Sequence, residues 1–158
     1  MRLIGIDPGT GILGFGVIDR LDYNSLQIID AGVIRTPAKQ NDADRLKIIY
    51  DELRAIILQT KPSVMAVEKL FFAQNVTTAM SVSQARGVIL LCAKEAELEI
   101  FEYTPLQIKQ SLTGYGRAEK KQVQEMVKVI LKLDHIPKPD DCADALAAAI
   151  THSMSIGS

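Results

Sequence analysis

The chain predicts an α/β fold: a five-stranded mixed sheet, three antiparallel strands then parallel additions, flanked by helices on both faces. Three observations carry this expectation. Apolar runs of strand length open the chain and are joined by short polar links, which favours antiparallel pairing. From Asp42 the apolar period changes to a helical one. Two further short apolar runs then alternate with helical stretches, and strand–helix–strand order favours a parallel neighbour through a right-handed crossover.

Each element follows from its residues. Leu3-Ile4-Gly5-Ile6 reads as a buried strand that must end at Asp7, because Pro8 cannot donate to a ladder and Gly9 and Gly11 permit a tight turn. Leu13 to Ile18 and Leu26 to Ile34 read as the second and third strands, linked by the polar stretch from Asp19 to Ser25. Leu46, Ile49, Tyr50, Leu53, Ile56 and Ile57 recur at helical spacing, with Asp42 or Asp44 near the start and Pro62 as the stop. Val64-Met65-Ala66-Val67-Glu68 repeats the opening pattern of a short apolar strand closed by an acid. Asn75 or Thr77 is placed to cap a long helix reaching about Glu97, apolar on more than one stripe, as in a helix buried on two sides or lying at an oligomer surface. Glu99 to Tyr103 is a fifth strand, and Thr104-Pro105 opens a brief helix. After the Gly114-Tyr115-Gly116 turn, Ala118 to Leu131 forms an amphipathic helix. The last helix follows Pro137 and Pro139, with Asp140 as the expected N-cap.

Composition narrows the function. At 158 residues with 47% hydrophobic and 23% charged content, residues 1–158 are expected to form one ordered domain. The net charge of −1 gives no overall pull on a polyanion, so a nucleic-acid partner must be met by a local basic patch. Cys92 and Cys142 lie in apolar surroundings without a nearby histidine, which excludes a zinc centre. The opening residues turn acidic too soon for a signal peptide, and no apolar run is expected to approach membrane-spanning length. A cytoplasmic protein with no membrane partner is the expectation.

The chemistry rests on acids. If the Val64 strand lies beside the first, Asp7 and Glu68 end neighbouring strands roughly 4.8 Å apart. In the last helix Asp141 and Asp144 are three apart and share a face, while Asp140 and Asp144 are four apart and can share one too. Spacing alone leaves Asp140 and Asp141 both open. The Ala, Leu and Ile around Asp144 make that helix mostly buried, and a buried carboxylate needs a partner. An all-oxygen donor set suits a hard cation, magnesium first and manganese as substitute, with charge enough for two ions. Two such ions serve in-line phosphoryl displacement. Lys109, Arg117, Lys120, Lys121, Lys128, Lys132 and Lys138 gather in one segment, which reads either as a phosphate footprint or as a solvated face. Phe71 and Phe72, leaving the strand beside Glu68, suit stacking on a base or packing in the core. Together these features point to a metal-dependent nuclease.

Four motifs then occur in order: Gly5-Ile6-Asp7-Pro8-Gly9; Ala66-Val67-Glu68 followed by Phe71 and Asn75; Gln84-Ala85-Arg86-Gly87; and Asp141-Cys142-Ala143-Asp144-Ala145-Leu146-Ala147. As an ordered set, from about Met1 to His152, they resemble the RuvC Holliday junction resolvases of bacteria, of ribonuclease H-like fold. The resemblance implies a homodimeric crossover junction endodeoxyribonuclease of homologous recombination and DNA repair. It implies paired symmetric nicks in four-way junctions, 5′-phosphate and 3′-hydroxyl ends, and a RuvA/RuvB branch-migration complex as partner. It assigns Asp7, Glu68, Asp141 and Asp144 as catalytic, metal-binding acids, choosing Asp141 over Asp140. It places Phe71 as a base-stacking aromatic and Lys109 and Lys120 as basic contacts to DNA and the scissile phosphate, with Lys121 competing for the role of Lys120. Asn75 and Arg117 join them as candidate DNA contacts, and the long helix from Asn75 resembles the dimer-forming element. The Gly5–Gly11 turn also resembles the phosphate loop of sugar kinases and actin, but those proteins use two such domains. A YqgF-type protein acting on RNA fits the Phe71 loop and the Asp141/Asp144 pair less well.

Overall fold

The computed structural model describes residues 1–69 and 76–157. Three strands open it: β1 (Arg2–Asp7), β2 (Ile12–Asp22) and β3 (Ser25–Arg35). Their antiparallel pairing follows from the short links between them. After α1 (Asp42–Thr60), β4 (Val64–Glu68) returns parallel to β1, and after α2 (Val76–Glu95), β5 (Glu99–Tyr103) lies parallel to β4. The sheet order is therefore β3-β2-β1-β4-β5, mixed and five-stranded as expected. Three helices complete the chain: α3 (Pro105–Thr113), α4 (Lys120–Ile130) and α5 (Asp140–Ser155).

The sheet separates two cores. On one face α1 sets Ile49, Leu53 and Ile57, spaced by four, against Ile4, Ile6, Met65 and Val67, with Ala85, Ile89 and Cys92 of α2 beside them. On the other face α5 brings Cys142, Leu146, Ala149 and Ile150 onto Leu3, Ile18 and Ala66 under α3 and α4. Alternation along β1 explains the division: Leu3 points to one core, Ile4 and Ile6 to the other. Burial of each such Leu or Ile contributes about 1.5–3 kcal/mol, so both faces are needed to hold β1, the strand that carries Asp7, at the centre.

Helix α5 runs almost on the strands, which ordinary side chains would forbid. Gly5 of β1 and Gly16 of β2 are paired across the sheet. A Cβ on Gly5 would strike the Ala145 carbonyl, and one on Gly16 would strike the Leu146 side chain. Ala145, Ala147, Ala148 and Ala149 give the helix its narrow profile, and all four are buried.

Several boundaries differ from the sequence expectation. Strands β2 and β3 run through most of the predicted link, leaving only Tyr23 and Asn24 as the turn, because charged residues sit comfortably on an exposed hairpin end. Asn41, not Asp42 or Asp44, caps α1 by accepting from the Asp44 N–H. Pro139 occupies the cap position of α5 and makes no side-chain cap bond. Asp140 is the first helical residue, so its expected capping role is not realised. The expectation that no apolar run reaches membrane-spanning length is also corrected. Helix α2 has 20 residues and contains a stretch long and apolar enough to span a membrane by length and composition alone. Alanine, valine and leucine make it so, yet Arg86 within it pairs with Glu102 of β5.

Candidate active site

Asp7 ends β1, Glu68 ends β4, and the parallel register pairs Ile6 with Val67 immediately before them. The two carboxyl groups meet at the carboxyl edge of the sheet and share a hydrogen bond. The antiparallel register pairs Asp7 with Gly14 on its other side. A Cβ on Gly14 would collide with the Asp141 carbonyl group, so the missing side chain is what lets the first turn of α5 settle beside Asp7. Asp144, one turn further, faces the same cleft. The four acids thus come from two strand tips and one helix start.

Crowding shows in their electrostatics. Burial pushes the Asp7 carboxyl up to about 9, reinforced by the charges of Glu68, Asp144 and Asp141. Glu68 is raised chiefly by burial, while the bond from Asp7 and the charges of Lys120 and Lys109 pull it back. Asp144 is raised by burial and relieved by Lys120. Burial and the neighbouring carboxylates thus favour the protonated form of Asp7, which donates to Glu68. Among the described residues no three His, Cys, Asp or Glu side chains are close enough together to hold a metal ion as they stand. Asp7 and Glu68 share a hydrogen bond, and the charges of Asp141 and Asp144 act on Asp7 from the helix side. The donors of these four acids are all oxygens on rigid elements, and the charge they lack is cationic, so the set fits a hard divalent ion.

Lysines face these acids. Glu68, Asp144, Lys109 of α3 and Lys120 of α4 line one cleft of about 250 Å³, walled by Pro105, Ile108, Val123 and Ala147. Lys120 Nζ lies 3.5 Å from carboxylate oxygens of both Asp144 and Asp140. Burial works against its charge, but those two carboxylates hold its pKa above the usual lysine value. Lys121, the next residue on the helix, points elsewhere: it shares a separate groove with Tyr115, Arg117 and Glu119. The basic segment thus divides between the acid cleft and a second surface. Asp140 is exposed, and among the described residues its carboxylate pairs with Lys120 alone. Phe71 and Asn75 lie outside the described residues. Of the positioning glycines, Gly14 and Gly16 were not picked out from the sequence and Gly5 only within its motif, although glycine inside a strand pattern signals close backbone approach.

The chain matches the family model for the crossover junction endodeoxyribonuclease RuvC over residues 3–152. It is 54% identical to the crossover junction endodeoxyribonuclease RuvC of Fusobacterium nucleatum over 158 residues, covering all of this chain and 83% of the relative. It is 55% identical to that of Halothermothrix orenii over 155 residues, covering 98% of this chain and 93% of the relative. In three dimensions it superimposes on Thermus thermophilus RuvC in complex with Holliday junction substrate. That match has a TM-score of 0.94 at 35% identity and covers 99% of this chain and 94% of that one. Matched along nearly its whole length in sequence and in fold, the chain belongs to the RuvC family of crossover junction endodeoxyribonucleases.

Proposed function

We propose that residues 1–158 form a single nuclease domain that cuts four-way DNA junctions at Asp7, Glu68, Asp141 and Asp144. The chain is a metal-dependent Holliday junction resolvase of DNA recombination, and four-way junction DNA is its partner. The observation that carries the site assignment is the convergence of the tips of β1 and β4 with the first turn of α5, which brings Asp7, Glu68, Asp141 and Asp144 to one end of the sheet. The neighbouring carboxylates raise the Asp7 pKa together with burial, and a divalent cation would offset that charge.

Magnesium is the proposed ion, with manganese able to substitute, and the charge of four carboxylates supports two ions per site. Bound there, a divalent ion supplies the Lewis acidity that activates a water nucleophile and offsets charge on the phosphate oxygens. The chain itself supplies position. Asp7 and Glu68 are fixed by ladder bonds on both sides of their strands, and Asp141 and Asp144 by a buried helix that cannot shift without displacing Gly5 and Gly14. Lys109 and Lys120, across the cleft from Glu68, attract the scissile phosphate and oppose the negative charge that builds on its oxygens during displacement. Cleavage of the bond to the 3′ oxygen leaves 5′-phosphate and 3′-hydroxyl ends. Arg117 and Lys121, on the neighbouring groove, hold DNA backbone further along and carry no sequence information. Phe71 is proposed to stack on a base near the crossover, with Asn75 as a further DNA contact.

Paired symmetric nicks require two sites related by a twofold axis, which a homodimer provides. Helix α2 supports this reading: Val76, Met80 and Leu91 are 76%, 62% and 52% exposed, an apolar face that a second copy would cover. A cytoplasmic setting and a RuvA/RuvB branch-migration complex complete the proposal.

The test is incubation with synthetic four-way junctions and with linear duplex of the same sequence, with and without Mg²⁺. Symmetric nicks that a ligase can seal, dependent on the ion and confined to the junction, are expected. Equal cutting of the linear duplex would overturn the junction assignment.

A further inference from the structure

Beyond Asp7, toward β2 and β3, the same edge of the sheet ends in two arginines. Arg35 is the last residue of β3 and pairs with Ile12 at the start of β2. Arg45 lies in the first turns of α1. Between them runs the turn that follows Asp7, fastened by a relay of hydrogen bonds. The Thr36 N–H donates to the Gly11 carbonyl at 3.0 Å. The Thr36 hydroxyl donates to the Thr10 carbonyl at 2.5 Å, and Arg45 Nε donates to the Thr36 hydroxyl at 2.9 Å. The Thr10 hydroxyl meets that of Ser81 on α2 at 2.5 Å.

Thr10 and Thr36 are both buried, so this relay fixes the guanidinium of Arg45 and not merely its charge. Gly11 leaves room for it: a Cβ there would lie 3.2 Å from Arg45 Nη2. Nε is thereby committed to the protein, while the Nη groups make no hydrogen bond among the described residues. Nor does either arginine have a carboxylate within 4.0 Å among the described residues, although the chain has more acids than bases. Strand alternation completes the geometry. Ile34 packs under α1, so Arg35 leaves β3 on the opposite face, the face that α5 covers. The two cations therefore bracket the end of the β2–β3 ribbon, one on each face.

An oriented guanidinium with free Nη donors and no acid to meet is suited to bidentate contact with two oxygens of an oxyanion, and in a junction nuclease the available oxyanions are DNA phosphates. We propose that Arg35 and Arg45 grip backbone phosphates of the DNA on the β2–β3 side of the acids, opposite Lys109 and Lys120. The strand to be cut is then held on both sides of the cleavage point. This rests on the reading of the chain as a junction nuclease.

The test uses the Asp7→Asn protein, which does not cut, and a synthetic four-way junction, with Kd measured from about 50 to 200 mM salt. Each phosphate contact contributes about 0.9 to the slope of log K against log salt. Replacing both arginines by alanine is expected to weaken binding about tenfold or more and to flatten the slope by about two. Arg45→Lys keeps the slope and loses only part of the affinity, because the charge remains but the oriented fork does not. Arg35→Ala leaves the melting temperature close to that of the parent, and loss of the Arg45–Thr36 bond in the double variant lowers it by a few degrees at most. Unchanged affinity in the double variant would overturn the inference, and so would weaker binding with an unchanged slope, the mark of a merely structural role. An Asp7→Asn parent that prefers no junction would instead overturn the reading beneath it.

Discussion

Asp7→Asn abolishes cleavage, by about 10³-fold or more, and at the same time makes the metal-free protein more resistant to heat. The first effect follows from the central place of Asp7, the carboxyl on which the charges of Glu68, Asp144 and Asp141 all act. The second follows from the same crowding. Burial and three neighbouring carboxylates disfavour its charged form and raise its pKa to about 9, against an ordinary value of 3.8. Between those values the folded chain binds a proton that the unfolded chain releases. Stability is therefore greatest below the ordinary value and falls as pH rises through it toward about 9. Asparagine keeps the shape, still donates to Glu68 and never ionises. Near neutral pH it should stabilise the metal-free protein by about 1–2 kcal/mol, roughly 2–8 °C in Tm. Melting curves from pH 5 to 9 without divalent ions check this: the wild-type Tm declines across the range and the variant's declines less. Parallel curves would show that Asp7 is not the group under strain.

Gly14→Ala is expected to damage the site without touching an acid. The added methyl group meets the Asp141 carbonyl, which is backbone and cannot rotate away. Relief requires lifting the first turn of α5, and Asp141 and Asp144 go with it. Overpacking costs about 3 kcal/mol, or roughly 6–12 °C in Tm. Cleavage should fall at least 10²-fold even at a temperature where the variant remains folded. Circular dichroism paired with cleavage rates measures the two losses separately. A folded Gly14→Ala protein of normal rate would show that α5 does not need its close seat on β2.

Much of this was legible in the chain, and the reasons differ by feature. Strand ends at Asp7 and Glu68 could be read because proline, glycine and a carboxylate interrupt short apolar runs; strand order favoured a parallel neighbour, and the structure shows that neighbour to be β1. The acids of α5 could be read because charge among alanine and leucine is costly without a partner. Choosing Asp141 over Asp140 by spacing was not possible, since both offsets share a helix face. Tertiary structure separates them: Asp141 is seated on Gly14, whereas Asp140 is exposed and meets Lys120. The same holds for Lys120 and Lys121, adjacent in sequence and turned toward different grooves by one step of the helix. Glycines inside a strand pattern signal close backbone approach, but which helix comes near Gly5, Gly14 and Gly16 depends on tertiary packing. Arg35 and Arg45 are ten apart on different elements, and only the seating of α1 against the end of β3, through the Arg45–Thr36 bond, brings them to one end of the β2–β3 ribbon.

Anomalous diffraction from crystals of the protein grown with Mn²⁺ measures the metal site directly. The account predicts anomalous peaks enclosed by the carboxylates of Asp7, Glu68, Asp141 and Asp144, lost when Asp7 is replaced by Asn. Peaks elsewhere on the surface, or a peak that survives Asp7→Asn unchanged, would contradict it.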